Sequence, residues 1–370
     1  MSYLKLADDV SENVISKYAE AVDREQAFPQ QSMTALAQSG LLGLIAAKDV
    51  GGQGESMSAA AEVVERIARE CGSTAMILCM HYCGSVVMEK FGPVEVRKRA
   101  ATGGELLTLA FSEAGSRSHF WAPLSKAEMK ADGVHLHAKK SWVTSAHHAS
   151  YVWSSKPLKA EGPSTLWYVP NGTQGLEIAG RFDGLGLRGN DSSPVMATDV
   201  VIPEANRLGA DGAGFGIMME TVLPLFNACI AAVSIGLMTT AVSRTAAHVT
   251  GTTYEHLSTN LAELPTIRAY LARMQCHTDA CRCLWRDTLT ALTTGRPDAM
   301  LRVLQTKAHA GETATEVLDL AMRICGGMAF RKDVGLERYF RDARATGVMA
   351  PTTDVLYDFI GKAVCGMELF

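Results

Sequence analysis

The chain of 370 residues changes its hydrophobic period twice, and that order restricts its architecture more than any single motif does. Up to about residue 105 the apolar residues recur at helical spacing. AVDREQAFPQQSMTALAQSGLLGLIAAKDVGGQG predicts two helices with glycine stops, the second ended by Gly51-Gly52. AAAEVVERIARECGSTAMILCMHYCGSVVMEKFG predicts two more, with Gly72 between them. From about 106 to 210 the period becomes two. KAEMKADGVHLHAKKSWVTSA alternates and turns at Asp132-Gly133, a hairpin signal, and ASYVWSSKP, STLWYVP and PVMATDVVIP read as further strands. Helical spacing returns from Gly214 in four long amphipathic stretches, the last starting at Thr353. The expected fold class is α+β: an N-terminal helical domain over 1–105, a compact antiparallel β domain over 106–210, and a C-terminal four-helix bundle over 211–370. No GxGxxG opens a helix after a strand, so a Rossmann unit has no support.

Composition narrows the function classes. With 47% hydrophobic and 20% charged residues the chain reads as a soluble globular protein. A net charge of −4 and a pI near 6.2 argue against nucleic acid or an anionic membrane as the main partner. The apolar stretch from Ala228 to Val242 is broken by Ser234, Gly236 and two threonines and reads as a buried helix. MSYLKLADDV shows no apolar leader, and the nine cysteines lie scattered through apolar helical surroundings. Both features point to free thiols in a reducing cytoplasm. Cys276, His277, Cys281 and Cys283 form the one thiol-rich cluster, but no second ligand pair lies nearby, so no metal is expected. His81, within MILCMHYCG, reads as a satisfied histidine in a helix seam rather than a site residue.

Chemistry concentrates between Thr108 and Ala146. Two segments rich in hydroxyls and small residues, TLAFSEAGS and AKKSWVTSA, flank strands and read as a cradle for one flat, polar cofactor. Ser112 and Thr144 offer hydroxyls to a heteroaromatic rim, and Trp142 offers a face to pack on it. Gly115 and Ser116 let backbone and a small donor approach an anionic group such as a pyrophosphate.

These two segments resemble the flavin-binding signature of the acyl-CoA dehydrogenase family, in which Thr-Glu-Pro-x-Ala-Gly-Ser is followed by Trp-Ile-Thr. A Pro-x dipeptide is missing between Glu113 and Ala114. The order helices, β domain, bundle is also the family's order, so the resemblance spans the whole chain, including NRLGADGAGFGIMM at the β-to-bundle junction. It implies FAD held between the β domain and the bundle, with its far end touching a neighbouring subunit, hence a homodimer or homotetramer. From the two segments the implied cofactor contacts are Phe111, Ser112, Gly115, Ser116, Trp142, Val143 and Thr144. RICGGMAF resembles the family's Gln-Ile-x-Gly-Gly-x-Gly-Phe loop, with Arg323 in place of glutamine and Gly326, Gly327 and Phe330 keeping the turn. LERYFRDARATGVMAPTTD resembles the stretch ending in Tyr-Glu-Gly-Thr and places Thr352 and Asp354 near FAD.

Two departures bear on function. The Arg-x-x-Phe-Gly segment that clamps FAD across the dimer is replaced by YEHLS, Tyr254 to Ser258. The family's glutamate base is also absent: its usual position is Ala350, and the alternative position falls near Phe226 and Asn227. None of these side chains accepts a proton. The candidate replacements are Glu220 and Asp354, and His147, with His148 beside it, is a candidate for steering a proton or hydrogen-bonding a flavin–oxygen adduct. The resemblance therefore implies an FAD-dependent oxidoreductase acting on an acyl-CoA or similar carrier-bound thioester, with the missing base favouring O2-dependent oxygenation or oxidation. The alternatives are α,β-desaturation with a relocated base, and a non-catalytic flavin- or acyl-CoA-binding partner. A flavin reductase or an electron-transfer flavoprotein is the implied protein partner.

Overall fold

The computed structural model describes residues 2–116, 119–254, 256 and 259–369. Its N-terminal region holds α1 (Tyr3–Val10), α2 (Ser16–Arg24), α3 (Gln30–Gln38), α4 (Met57–Ala68), α5 (Gly72–Phe91) and α6 (Val94–Ala101). The second expected helix stops well short of Gly51-Gly52: α3 ends at Gln38, and residues 41–56 run as turns and irregular chain, with a single 3-10 turn at Lys48–Val50 that Gly51 ends. Tertiary contacts override the apolar pattern there. The carbonyl of Leu41 accepts from the Tyr82 hydroxyl at 2.7 Å and that of Leu42 from His81 Nε2 at 3.1 Å, so neither is spent inside a helix. A side chain on Gly43 would stand 2.2 Å from the Ala101 carbonyl oxygen.

The middle region folds into two four-stranded sheets. Its strands are β1 (Leu106–Ala110), β2 (Lys126–Lys130), β3 (Gly133–Val143), β4 (Ala149–Ser155), β5 (Thr165–Val169), β6 (Leu176–Ile178), β7 (Ser193–Ile202) and β8 (Arg207–Leu208). The orders are β1-β4-β5-β8 and β2-β3-β7-β6. The β2–β3 hairpin forms, but it turns at Ala131-Asp132, one residue before the expected Asp132-Gly133, because Gly133 already pairs with Lys130. The sheets are not wholly antiparallel, because β1 runs parallel to β4 with Leu106 opposite Ala149. The crossover between them passes through β2 and β3 of the other sheet, so a local pattern gives no sign of it. Trp153, Trp167, Tyr151, Val195 and Val200 fill the space between the sheets.

A short helix, α7 (Gly214–Ile217), and a π turn (Met218–Val222) lead into α8 (Leu223–Gly251), followed by α9 (Pro265–Thr294) and α10 (Ala299–Cys325). The fourth bundle position is split between α11 (Leu336–Val348) and α12 (Thr353–Val364), both packed on α10. The segment Gly214–Gly251 is long and apolar enough to cross a membrane, but its apolar window is wholly buried inside the molecule. That burial is mutual. Glycine at 236 brings α8 so close to α4 that a Cβ would lie 2.6 Å from the Glu65 carbonyl oxygen. The N-terminal helices and the bundle share a single apolar core, which also covers the outer side of β1. Two contacts fix β1 on α5. An added Cβ on Gly84 would meet the Leu107 Cβ at 2.7 Å, and the Leu107 amide donates to His81 Nδ1 at 3.2 Å. His81 is thus a satisfied seam residue, and burial pushes its imidazole down to about 4.

Candidate active site

A cavity of about 720 Å³ opens where β1 and β3 end against α5, α8 and α11. This volume is within the range of small-molecule sites. Met76 and Met80 come from α5, Leu109 and Phe111 from β1 and the residue after it, Leu223 and Phe226 from α8, and Ala345, Val348, Met349 and Ala350 from α11 and its following turn. The polar part of the lining comes from the two segments singled out in the sequence: Ser112, Glu113 and Gly115 on one, Ser141, Trp142 and Thr144 on the other.

The segments are tied edge to edge. Glu113 bridges Lys140, and the Ser141 amide donates to the Ser112 carbonyl at 2.9 Å. The β3–β7 register slips between Lys140 and Val143, and Trp142 adopts a left-handed φ of 54° there. Such a bulge turns a side chain out of the strand's alternation. The indole is accordingly 61% exposed at the cavity rim, stacked on Phe182 with centroids 3.9 Å apart. Beneath the rim lies a buried ion pair. Lys140 Nζ donates to Glu113 Oε1 at 2.6 Å and to the Ser154 carbonyl at 2.7 Å, and Glu113 Oε2 accepts from the Leu124 and Ser125 amides at 2.6 and 3.0 Å. Burial lowers the Lys140 ammonium to about 8 against the pull of Glu113. Burial alone would raise the Glu113 carboxyl, but the charge of Lys140 and the bonds it accepts hold it below its ordinary range. This pair, which sequence reasoning missed, locks both segments. Its signal was a lysine at an inward position of a period-two strand, which demands a partner.

FAD fits the residues present. Among the described residues the Ser112 and Thr144 hydroxyls line the cavity without a side-chain hydrogen-bond partner, and Gly115, at φ 98°, bares its backbone there. The other expected contacts divide between the lining and positions off it. Phe111 lines the cavity and stacks with Phe120 at 6.4 Å, an aromatic wall that the sequence did not announce. Val143 instead points into the space between the sheets. Ser116 donates to the Glu113 carbonyl at 3.2 Å, off the lining. Arg323, Gly326 and Gly327 are exposed and outside the cavity, with the Arg323 guanidinium 4.9 Å from the Tyr270 ring centre and Phe330 beside them 77% exposed. Thr352 is half-buried at the start of α12 and Asp354 is exposed on it; neither lines the cavity.

The three catalytic candidates stand apart from the wall. Glu220 is exposed on the π turn whose other side presents Val222 to the cavity, and Asp354 points to solvent. His147 is clamped away from the cavity by Asp191, which accepts from its amide at 2.9 Å and lies 2.8 Å from its Nδ1. His148 stacks on Phe28 at 3.8 Å. Ala350 and Phe226 do line the wall, while Asn227 is buried with its amide unpartnered. The YEHLS replacement lies largely outside the described residues. All nine cysteines are free thiols, and no group of three or more His, Cys, Asp or Glu placed to hold a metal occurs among the described residues.

Comparison with known proteins agrees with this geometry. Residues 2–103 match the family model of the acyl-CoA dehydrogenase N-terminal domain, and residues 212–365 that of the C-terminal domain. The human mitochondrial short-chain specific acyl-CoA dehydrogenase is 29% identical over 95% of this chain and 86% of its own. The acryloyl-CoA reductase (NADH) of Anaerotignum propionicum is 28% identical over 97% and 93%. The structure of butyryl-CoA dehydrogenase from Megasphaera elsdenii superposes with a TM-score of 0.91 at 21% identity, covering 98% of this chain and 97% of that one. The chain belongs to the acyl-CoA dehydrogenase family and is an FAD-dependent oxidoreductase of that kind.

Proposed function

We propose that the cavity brings an acyl-CoA, or a similar carrier-bound thioester, against FAD, and that the reaction is an O2-dependent oxygenation or oxidation rather than α,β-desaturation. The observation that carries this reading is the lining. Desaturating a thioester requires a group that takes the α proton, positioned within hydrogen-bond reach. Ala350 and Phe226 occupy the wall where the resemblance places that group, and the one carboxylate on the lining among the described residues, Glu113, is neutralised by Lys140. FAD supplies the redox chemistry when bound. The chain's part is to hold it, with Ser112, Thr144 and the Gly115 backbone as donors and Trp142 as the packing face. Met76, Met80, Leu223, Phe226 and Met349 make the rest of the pocket apolar, which suits an uncharged acyl group and keeps water away from it.

Anaerobic addition of a panel of acyl-CoA thioesters to the FAD-loaded protein tests this. An oxygenase, whose flavin is reduced by a separate donor, keeps its visible flavin band under these conditions and then consumes O2 in a thioester-dependent way once the flavin is reduced separately. Bleaching by a thioester alone would sink oxygenation and mean that the thioester itself reduces the flavin; re-oxidation by O2 would then mark an oxidase, and its absence desaturation with a relocated base. The same reading assigns Arg323, Gly326 and Gly327 to the cofactor of a second copy of this chain, consistent with exposed Met328 and Phe330 beside them. Light scattering should then show a dimer or tetramer that Phe330→Glu weakens; an unchanged mass would remove this assignment.

A further inference from the structure

α10 places Lys307 entirely inside the molecule, yet gives it no carboxylate. Its Nζ donates to the backbone carbonyls of Pro351 at 2.7 Å, Met349 at 3.0 Å and Thr346 at 3.4 Å. These belong to the end of α11 and the turn that leads to α12. A helix C-terminus leaves carbonyls without intrahelical partners, and a cation there satisfies them and opposes the negative end of the helix dipole. The arrangement carries a large desolvation cost, since burial pushes the ammonium down to about 7. A wall that merely had to be filled would use Leu or Met at this position.

The same turn is held from two other directions. One turn along α10, an added Cβ on Gly311 would lie 3.1 Å from the Gly347 Cα, so α10 and the end of α11 are in backbone contact. The Thr353 hydroxyl donates to the Gly347 carbonyl at 3.1 Å. Everything held this way borders Val348, Met349 and Ala350, which form the cavity wall. Lys307 itself does not reach the cavity.

We propose that Lys307 is a positioning residue. Through the carbonyls of Thr346, Met349 and Pro351 it fixes Met349 and Ala350 in the cavity wall, and so sets where the reacting end of the acyl group comes to rest. This rests on the cavity being the thioester site and is independent of which acceptor takes the electrons.

The test uses the FAD-loaded protein and Lys307→Met, with two readouts that need no turnover. One is amide hydrogen exchange across residues 346–353. The other is the affinity for a non-reacting acyl-CoA thioether, followed by the shift it causes in the visible flavin band. Loss of charge-assisted hydrogen bonds of about 1.5–3 kcal/mol corresponds to roughly ten- to a hundredfold in an equilibrium. Exchange in 346–353 is therefore expected to quicken at least about tenfold and thioether affinity to fall about tenfold. FAD affinity and exchange in α5 and β1 should stay as in the unaltered protein. Thr353→Val removes only the bond to Gly347, so it should show the same pattern at a few-fold scale even where the Met variant fails to fold. Evenly raised exchange throughout the bundle, or unchanged thioether affinity despite a loosened turn, would make Lys307 a packing group and overturn the proposal. An unaltered protein that binds FAD but not the thioether would overturn the cavity reading, and this proposal with it.

Discussion

Ala350 is a methyl group at the place on the cavity wall where the resemblance usually puts a carboxylate, and the backbone carrying it is tightly held. Restoring the acid is therefore a direct experiment. Ala350→Glu should let a thioester bleach the flavin without oxygen, at least about a hundredfold faster than the unaltered protein, since a placed general base is worth about 10²–10⁴ in rate. Stopped-flow absorbance under argon reads the outcome, and no gain would mean that the wall lies elsewhere than the reacting carbon. Glu113 and Lys140 make a second test at this scale. Glu113→Gln strands a buried ammonium and should cost about 3–5 kcal/mol in chemical denaturation. Glu113→Gln combined with Lys140→Met should cost clearly less, because neither charge remains. A double variant as unstable as the single one would show that the pair's packing, and not its charge, holds the two segments.

Among the elements, α5 decides where the cofactor cradle sits. Gly84→Ala would put a methyl 2.7 Å from the Leu107 Cβ and must push β1 off the helix. Overpacking of this kind costs about 1–3 kcal/mol, and the displaced Ser112 should weaken FAD binding several-fold by fluorescence titration. Unaltered FAD affinity would separate the cradle from that contact. How much of this was legible differs by element. The strands β3, β4, β5 and β7, a turn within one residue of Asp132-Gly133 and the helices α4, α5, α8, α9 and α10 follow from the apolar pattern, although β4 and β5 are buried on both faces and α5 and α8 on nearly every side. The end of α3 does not, since Leu41 and Leu42 give their carbonyls to side chains of α5, a choice made 40 residues away. The parallel β1–β4 pair is equally invisible locally. At the site, Ser112, Gly115, Trp142 and Thr144 were legible as hydroxyls, a glycine and an aromatic around strand ends. Glu220, Asp354 and His147 were chosen for their chemistry, and solvent or Asp191 claims them instead. Lys307 gave no signal, since its acceptors are carbonyls and any sequence supplies those.

Across the whole molecule, α11 is the junction. Asp342 Oδ1 accepts from the Leu187 amide at 2.6 Å on the β side, and Arg341 pairs with Asp23 near the end of α2 and with Glu337. Burial raises the Asp342 carboxyl from 3.8 to about 6, against the pull of Arg338. A carboxyl raised on folding contributes stability that is complete below its ordinary value and is lost as pH rises through about 6. Asp342→Asn keeps an acceptor without that titration. Its stability relative to the unaltered protein should therefore improve between about pH 4 and 7.5, by an amount on the order of 2–3 kcal/mol. Urea midpoints at the two pH values measure this, and a pH-independent difference would contradict it. The shared core has a further consequence, for the chain as it is made. α4 and α5 are complete by residue 91, yet the face they need is α8, which ends at residue 251. At about 5–20 residues per second the ribosome takes roughly 10–30 s to deliver it. For that interval α5 is covered by α4 and β1 on its other sides but its face towards α8 stays bare, so this protein's yield in a cell depends on whatever shields that face while α8 is still being translated.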